Sequence, residues 1–154
     1  MPDQLILERF DGREVFPIIT ALWDVLEEGT DDASLYLYLK CGRASEVLPE
    51  TESFDAEPHW ELVAISPQLT HSQMTAGQVF TIPQSAAPME RYYGAYTNFY
   101  YASHEGTDQN TIRIIEIDYE RLLVEIHGEC GDVNYYDGSK PLNHLIATAW
   151  FRHR

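Results

Sequence analysis

Residues 34–42 read "SLYLYLKCG", with Leu35, Leu37 and Leu39 alternating with Tyr36 and Tyr38. In an extended chain successive side chains point to opposite faces, so this spacing makes one leucine face and one tyrosine face. The leucine face belongs in a core. The same kind of segment recurs at 59–66 "HWELVAIS", 78–83 "QVFTIP", 95–103 "AYTNFYYAS", 111–118 "TIRIIEID", 122–130 "LLVEIHGEC" and 143–151 "NHLIATAWF", with turn residues between them. Many short strands at this spacing predict an all-β domain, mainly an antiparallel β-sandwich or jelly-roll-like fold. Ten Tyr and three Trp support that reading, because aromatic residues favour strands.

At 154 residues the expectation is a single domain over 1–154, large enough to bury roughly 70 % of its extended-chain surface. Near the N-terminus, "LILERF" followed by Asp11-Gly12 and "REVF" reads as a hairpin. Residues 15–28 admit two readings. Val15, Ile18, Ile19, Leu22 and Leu26 recur at helical spacing, with Pro17 as a start and Gly29 as a stop. Strand alternation instead groups Ile19, Ala21, Trp23 and Val25. The β context favours strand, with one short helix around residues 17–28 as the alternative. The polar stretch 43–58, "RASEVLPETESFDAEP", reads as a long surface loop.

Ten Lys and Arg against 25 Asp and Glu give a formal charge of −15. Such a charge repels phosphate backbones and anionic lipid, which argues against nucleic acid and membrane surfaces as partners. No secretory signal and no run of ~18 apolar residues is present, so the expected location is cytoplasmic. Cys41 and Cys130 lack metal-type spacing and fit two reduced, buried thiols, with one disulfide as the alternative.

The densest group of chemically active residues is "HGECGD", holding His127, Glu129, Cys130 and Asp132. Register divides it. With a turn centred on Tyr119-Glu120, Ile117 faces Leu122, Ile115 faces Val124 and Arg113 faces Ile126. Gly128 and Cys130 then continue the inner face while His127 and Glu129 point outward, within chelating reach of one another as an i, i+2 pair. A metal there needs a third ligand, for which His144, His104 and His71 are candidates. The stretch "DVNYYDGS" offers oxygen ligands at Asp132, Asn134, Asp137 and Ser139, but its glycine falls out of register for a calcium loop, and a turn is the better reading. The run "RYYGAYTNFYY" carries aromatics on both strand faces, so at least one face packs inward.

No phosphate loop, nucleophile elbow, paired Cys-x-x-Cys or His-Glu-x-x-His motif occurs, so no catalytic residue and no cofactor is expected. Two functions are carried forward. The first is a non-catalytic module whose acidic surface, centred on Asp24, Glu27, Glu28, Asp31 and Asp32 and continued by Glu46 to Glu57, binds a basic protein partner. The second is a metal- or small-ligand-binding protein, with enzymatic activity left open, with a site near His127 and Glu129. Oligomerisation through edge strands and exposed tyrosines stands beside both.

Overall fold

The computed structural model describes residues 3–47, 56–82, 95–101, 103–132 and 138–154. In chain order the strands are β1 (Gln4–Arg9), β2 (Gly12–Leu26), β3 (Ser34–Cys41), β4 (Glu46–Val47), β5 (His59–Ile65), β6 (Val79–Ile82), β7 (Ala95–Tyr101), β8 (Ser103–Glu105), β9 (Asp108–Asp118), β10 (Arg121–Cys130) and β11 (Asn143–His153). One turn of 3-10 helix, His71–Gln73, lies between β5 and β6. The fold is all-β and sandwich-like. Hydrogen-bonded neighbours run β6-β9-β10-β11-β1-β2-β3-β5-β7-β8, with β4 beside β2. No helix among the described residues is long and apolar enough to cross a membrane.

The path folds over because β2 serves two halves. Its first part pairs with β1, from Gln4 opposite Pro17 to Arg9 opposite Gly12. Its second part pairs with β3, with Ala21, Trp23 and Val25 opposite Leu39, Leu37 and Leu35. The changeover lies at Pro17–Thr20, where the pairing with β3 slips between Ile18 and Thr20. Proline donates no backbone hydrogen bond, and an extra residue in a strand bends it. Ile19 is thereby turned out, 70 % exposed, while Ala21, Trp23 and Val25 go inward. The helical alternative for 17–28 is thus replaced by strand. The β-branched and aromatic residues here complete ladders on both sides, which a lone helix over 17–28 would leave open. At the preceding turn Gly12 pairs with Arg9, so Phe10 and Asp11 form the loop rather than Asp11-Gly12.

The core lies between the halves. Leu35, Leu37, Leu39, Trp60, Leu62 and Phe99 meet Leu5, Leu7, Ile112, Ile114, Val124, Ile126, Leu145 and Phe151 in one continuous cluster. Each fully buried Leu, Ile or Phe contributes roughly 1.5–3 kcal/mol of transfer free energy. Tyr119-Glu120 forms the expected turn, and Leu122 faces Ile117. Beyond them a register shift between Leu123 and Val124 places Val124 opposite Ile114 and Glu125 opposite Arg113. Ile115, expected inward, is 40 % exposed, and Ile114 takes its place in the core. The bulge also removes Arg113 from the inner face, where its charge would have been costly.

Asp132, read from sequence as a turn residue, is buried against Arg9. Arg9 donates from Nε to Asp132 Oδ2 at 2.8 Å and from its terminal nitrogen to Oδ1 at 3.1 Å. Glu14 lies 4.0 Å from the guanidinium and accepts from the Tyr101 hydroxyl at 2.6 and 2.8 Å. Burial opposes the charge of Arg9, but the hydrogen bond and charge of Asp132 outweigh it and raise its pKa further. The network links β1, β2 and β7 with Asp132, two residues past the end of β10. Residues 133–137 of the calcium-type stretch, with Asn134 and Asp137, the remainder of the tyrosine run at 91–94 and most of the acidic loop at 48–55 lie outside the described residues, while Ser139 is exposed. Cys41 and Cys130 are buried and form no disulfide, and burial pushes the Cys41 thiol up to about 12.

Two stability predictions follow from these placements, both read by urea denaturation. Ile114→Ala is expected to cost about 2–5 kcal/mol and Ile115→Ala less than about 1 kcal/mol, reversing the order that unbroken alternation requires. Arg9→Met, which leaves two buried carboxylates without their cation, is expected to cost about 3–5 kcal/mol. Arg13→Met, which removes only an exposed ion pair to Glu46 at 3.0 Å, is expected to cost under about 1 kcal/mol.

Candidate functional site

The outward pair proposed from sequence keeps its orientation. His127 is exposed and Glu129 partly exposed, while Gly128 and Cys130 are buried. The β9–β10 ladder slips between His127 and Glu129, but the alternation along β10 survives. Glycine at 128 has a steric reason, since a Cβ there would lie 2.8 Å from Asn110 Oδ1. That oxygen is fixed, because it accepts from Thr107 Oγ1 at 2.7 Å while the Asn110 amide donates to the Thr107 carbonyl at 2.6 Å. His127 and Glu129 do not share a partner. His127 Nε2 lies 3.3 Å from Glu125 Oε1, and Glu129 lies 3.8 Å from His144 Nδ1 on the neighbouring strand β11. Of the candidate third ligands, His144 is therefore close and His71 sits at a different site; the side chain of His104 lies outside the described residues.

A tighter grouping forms where the far end of β2 meets the end of β11. These strands run parallel there, with Arg152 opposite Leu22 and His153 opposite Trp23, and the Arg154 N–H donates to the Trp23 carbonyl at 3.0 Å. The 3-10 turn brings His71 to the same place, held in part by the Thr70 N–H donating to Gln73 Oε1 at 3.0 Å. Asp24 Oδ1 then lies 2.8 Å from His71 Nε2 and 3.2 Å from His153 Nε2, and also accepts from the Val25 N–H at 2.8 Å. Its second oxygen is 3.2 Å from Arg154. On the far side of the His71 ring, Nδ1 is 2.7 Å from Glu28 Oε2.

Aromatic packing fixes both imidazoles. The Trp23 ring lies 5.5 Å from His71 and 5.0 Å from His153, and the two imidazoles meet edge to face at 4.7 Å. Trp23 is itself anchored by donating from Nε1 to the Glu120 carbonyl at 2.6 Å. Beside this group opens a cavity of about 460 Å³, lined among others by Trp23, His71, Met74, Ile117, Leu122 and His153. Tyr119, 95 % exposed and with a positive φ of 56°, stands at its edge.

Among the described residues, Asp24, His71 and His153 are the one set of three His, Cys, Asp or Glu side chains whose donor atoms converge, all within 4.8 Å of one another. Asp24 and His71 each drew notice in the sequence, in separate roles; His153 and Trp23 were missed as site residues. The pairing of Trp23 with His153 joins positions 130 residues apart, and no local periodicity reports it. Of the acidic residues singled out for a partner, Asp24 and Glu28 are engaged by these histidines, whereas Glu27, Asp31 and Asp32 are exposed on the β2–β3 turn. Comparisons of the chain with protein-family models, curated proteins and solved structures find no match.

The charges interact. Partial burial disfavours the imidazolium of His71, but hydrogen bonds to Asp24 and Glu28 outweigh this and raise its pKa. Partial burial likewise opposes ionisation of Asp24, and the bonds from His71 and His153 overcome it, lowering its pKa; the bond from His71 is the main cause of the lowering at Glu28. A raised histidine contributes stability that is complete below its unfolded pKa and lost as pH rises through the folded one. The lowered carboxylates contribute above their unfolded values and lose it as pH falls through their folded ones. In chelator-containing buffer, the destabilisation caused by His71→Gln is therefore expected to be largest between about pH 5 and 6.5 and to shrink at pH 9. Paired urea titrations of the two proteins across that range measure it; an equal loss at every pH would mean that the imidazolium makes no contribution.

Proposed function

We propose that the chain is a non-catalytic binding module that engages a basic protein partner through the turn between β2 and β3. The observation that carries this reading is a rigid acidic turn. Glu27, Asp31 and Asp32 are exposed, and among the described residues no Lys or Arg lies within ion-pair distance of them. The backbone beneath them is tied down. The Gly29 N–H donates to the Leu69 carbonyl at 2.9 Å, Gln68 N–H to the Thr30 carbonyl at 2.7 Å, and Thr30 Oγ1 to the Glu27 carbonyl at 2.7 Å. Gln68 Nε2 also donates to Asp31 Oδ1 at 2.6 Å.

Carboxylates displayed on a fixed backbone lose little further entropy on binding, and a formal charge of −15 steers a cationic surface toward them. We place the protein in the cytoplasm, in keeping with buried cysteines at 41 and 130 that form no disulfide. A ligand site at His127 and Glu129 has weaker support, because the His127 and His144 side chains are 49 % and 56 % exposed and each answers a different carboxylate.

An oligolysine peptide serves as the probe. Neutralising the turn with Glu27→Gln, Asp31→Asn and Asp32→Asn is expected to weaken binding by about tenfold or more at 50 mM salt and to flatten the salt dependence. The control neutralises three carboxylates elsewhere, with Glu116→Gln, Glu125→Gln and Glu129→Gln. Equal weakening by both triple variants would mean that total charge, not the turn, attracts the cation, and the reading would fall.

A further inference from the structure

We propose that Asp24, His71 and His153 form a binding site for a divalent transition-metal ion, zinc being the best match, with a remaining coordination position beside the 460 Å³ cavity. The inference goes beyond the acidic-turn reading and does not rest on it. It starts from geometry. In a tetrahedral zinc site with bonds near 2.0–2.1 Å, neighbouring donor atoms stand about 3.3 Å apart. Asp24 Oδ1 is already 3.2 Å from His153 Nε2 and 2.8 Å from His71 Nε2, and all three donor atoms lie within 4.8 Å of one another, so the ion needs an opening of about half an ångström at the His71 contact and the two imidazoles brought to a like spacing.

The donor types select the ion. Two imidazoles and one carboxylate suit zinc, cobalt, nickel or copper, whereas calcium and magnesium demand oxygen ligands. Three protein ligands with an open position are the arrangement of sites that bind a water or a small ligand at the metal. The orientation of His71 is set from behind. Glu28 Oε2 at 2.7 Å from Nδ1 is placed to accept that N–H, so the lone pair is on Nε2, on the side of Asp24 and His153, where it meets one long contact from the Val25 N–H at 3.4 Å that a metal would displace. A carboxylate behind a ligating histidine is the usual outer partner of such sites. Arg154 occupies the other oxygen of Asp24 at 3.2 Å and stacks on Tyr36 at 4.9 Å, so it orients the carboxylate without taking Oδ1.

Rigidity supplies the remaining condition. The ligands come from β2, the 3-10 turn and β11, and Trp23 packs against both imidazoles. In their protonated forms the histidines already satisfy Asp24, so metal and protons compete for the same nitrogens.

The test titrates the chain of residues 1–154, first stripped with chelator, with zinc by calorimetry and with cobalt by visible absorption. One equivalent of zinc is expected, with intense cobalt bands of a four- or five-coordinate site and no uptake of magnesium or calcium. His71→Ala and His153→Ala are each expected to lower zinc affinity more than about 100-fold, and Glu28→Gln, which removes no ligand, about 10–100-fold. His127→Ala with His144→Ala is expected to leave it unchanged. Circular dichroism checks that every variant is folded, and His153→Gln replaces His153→Ala if the latter is not. Binding well below one equivalent, affinity unaffected by loss of His153, or affinity lost only with His127 and His144 would each overturn the proposal.

Discussion

Everything in this fold hangs on the passage of β2 from one half of the sandwich to the other. A buried backbone must keep its hydrogen bonds, so a strand that changes partners needs a place where the change leaves few groups stranded. Pro17, with no N–H, and the slip between Ile18 and Thr20 supply that place. Upstream, β2 carries Glu14 into the buried network with Tyr101 and Arg9. Downstream, it carries Trp23 and Asp24 to the parallel edge of β11. A single strand thus positions the buried charges of one region and the histidine cluster of the other.

The two charged groupings obey different physics. Arg9, Glu14 and Asp132 are shut away from water, so their contribution lies in mutual compensation: removal of one partner exposes the desolvation cost of the others. Asp24, His71 and His153 are partly open, with side-chain exposures of 17 %, 29 % and 32 %. That is dry enough for the charges to shift one another and open enough for protons or ions to exchange. The cavity beside them joins an apolar wall to the imidazoles, which is the composition that small-molecule sites share.

Strand positions were legible in the residues because period-two alternation is a local property. Leu35, Leu37 and Leu39 are buried, Trp60, Leu62 and Ala64 likewise, and Val124, Ile126 and Cys130 fall inward as their spacing requires. The errors sit at bulges. Ile115 was placed inward by unbroken alternation, and Ile19 was grouped on one face with Ala21, Trp23 and Val25; each lies at a register shift that turns it out. A bulge adds one residue to one strand in answer to its neighbour, so it leaves no mark that the strand alone can show. The burial of Asp132 has no local mark either: Arg9, its partner, is 123 residues away.

By itself the sequence determined the class of fold, the inner and outer faces of most strands, the outward placement of His127 and Glu129, and the acidic character of the turn at 27–32. These follow from backbone geometry and composition, which act over a few residues. The tertiary structure alone decided which outward groups meet. His71 and His153 converge on Asp24 because a 3-10 turn and a parallel strand end arrive at the same edge of β2. Hydrogen bonding and coordination act over about 3 Å, and only the folded chain brings positions 24, 71 and 153 within that distance.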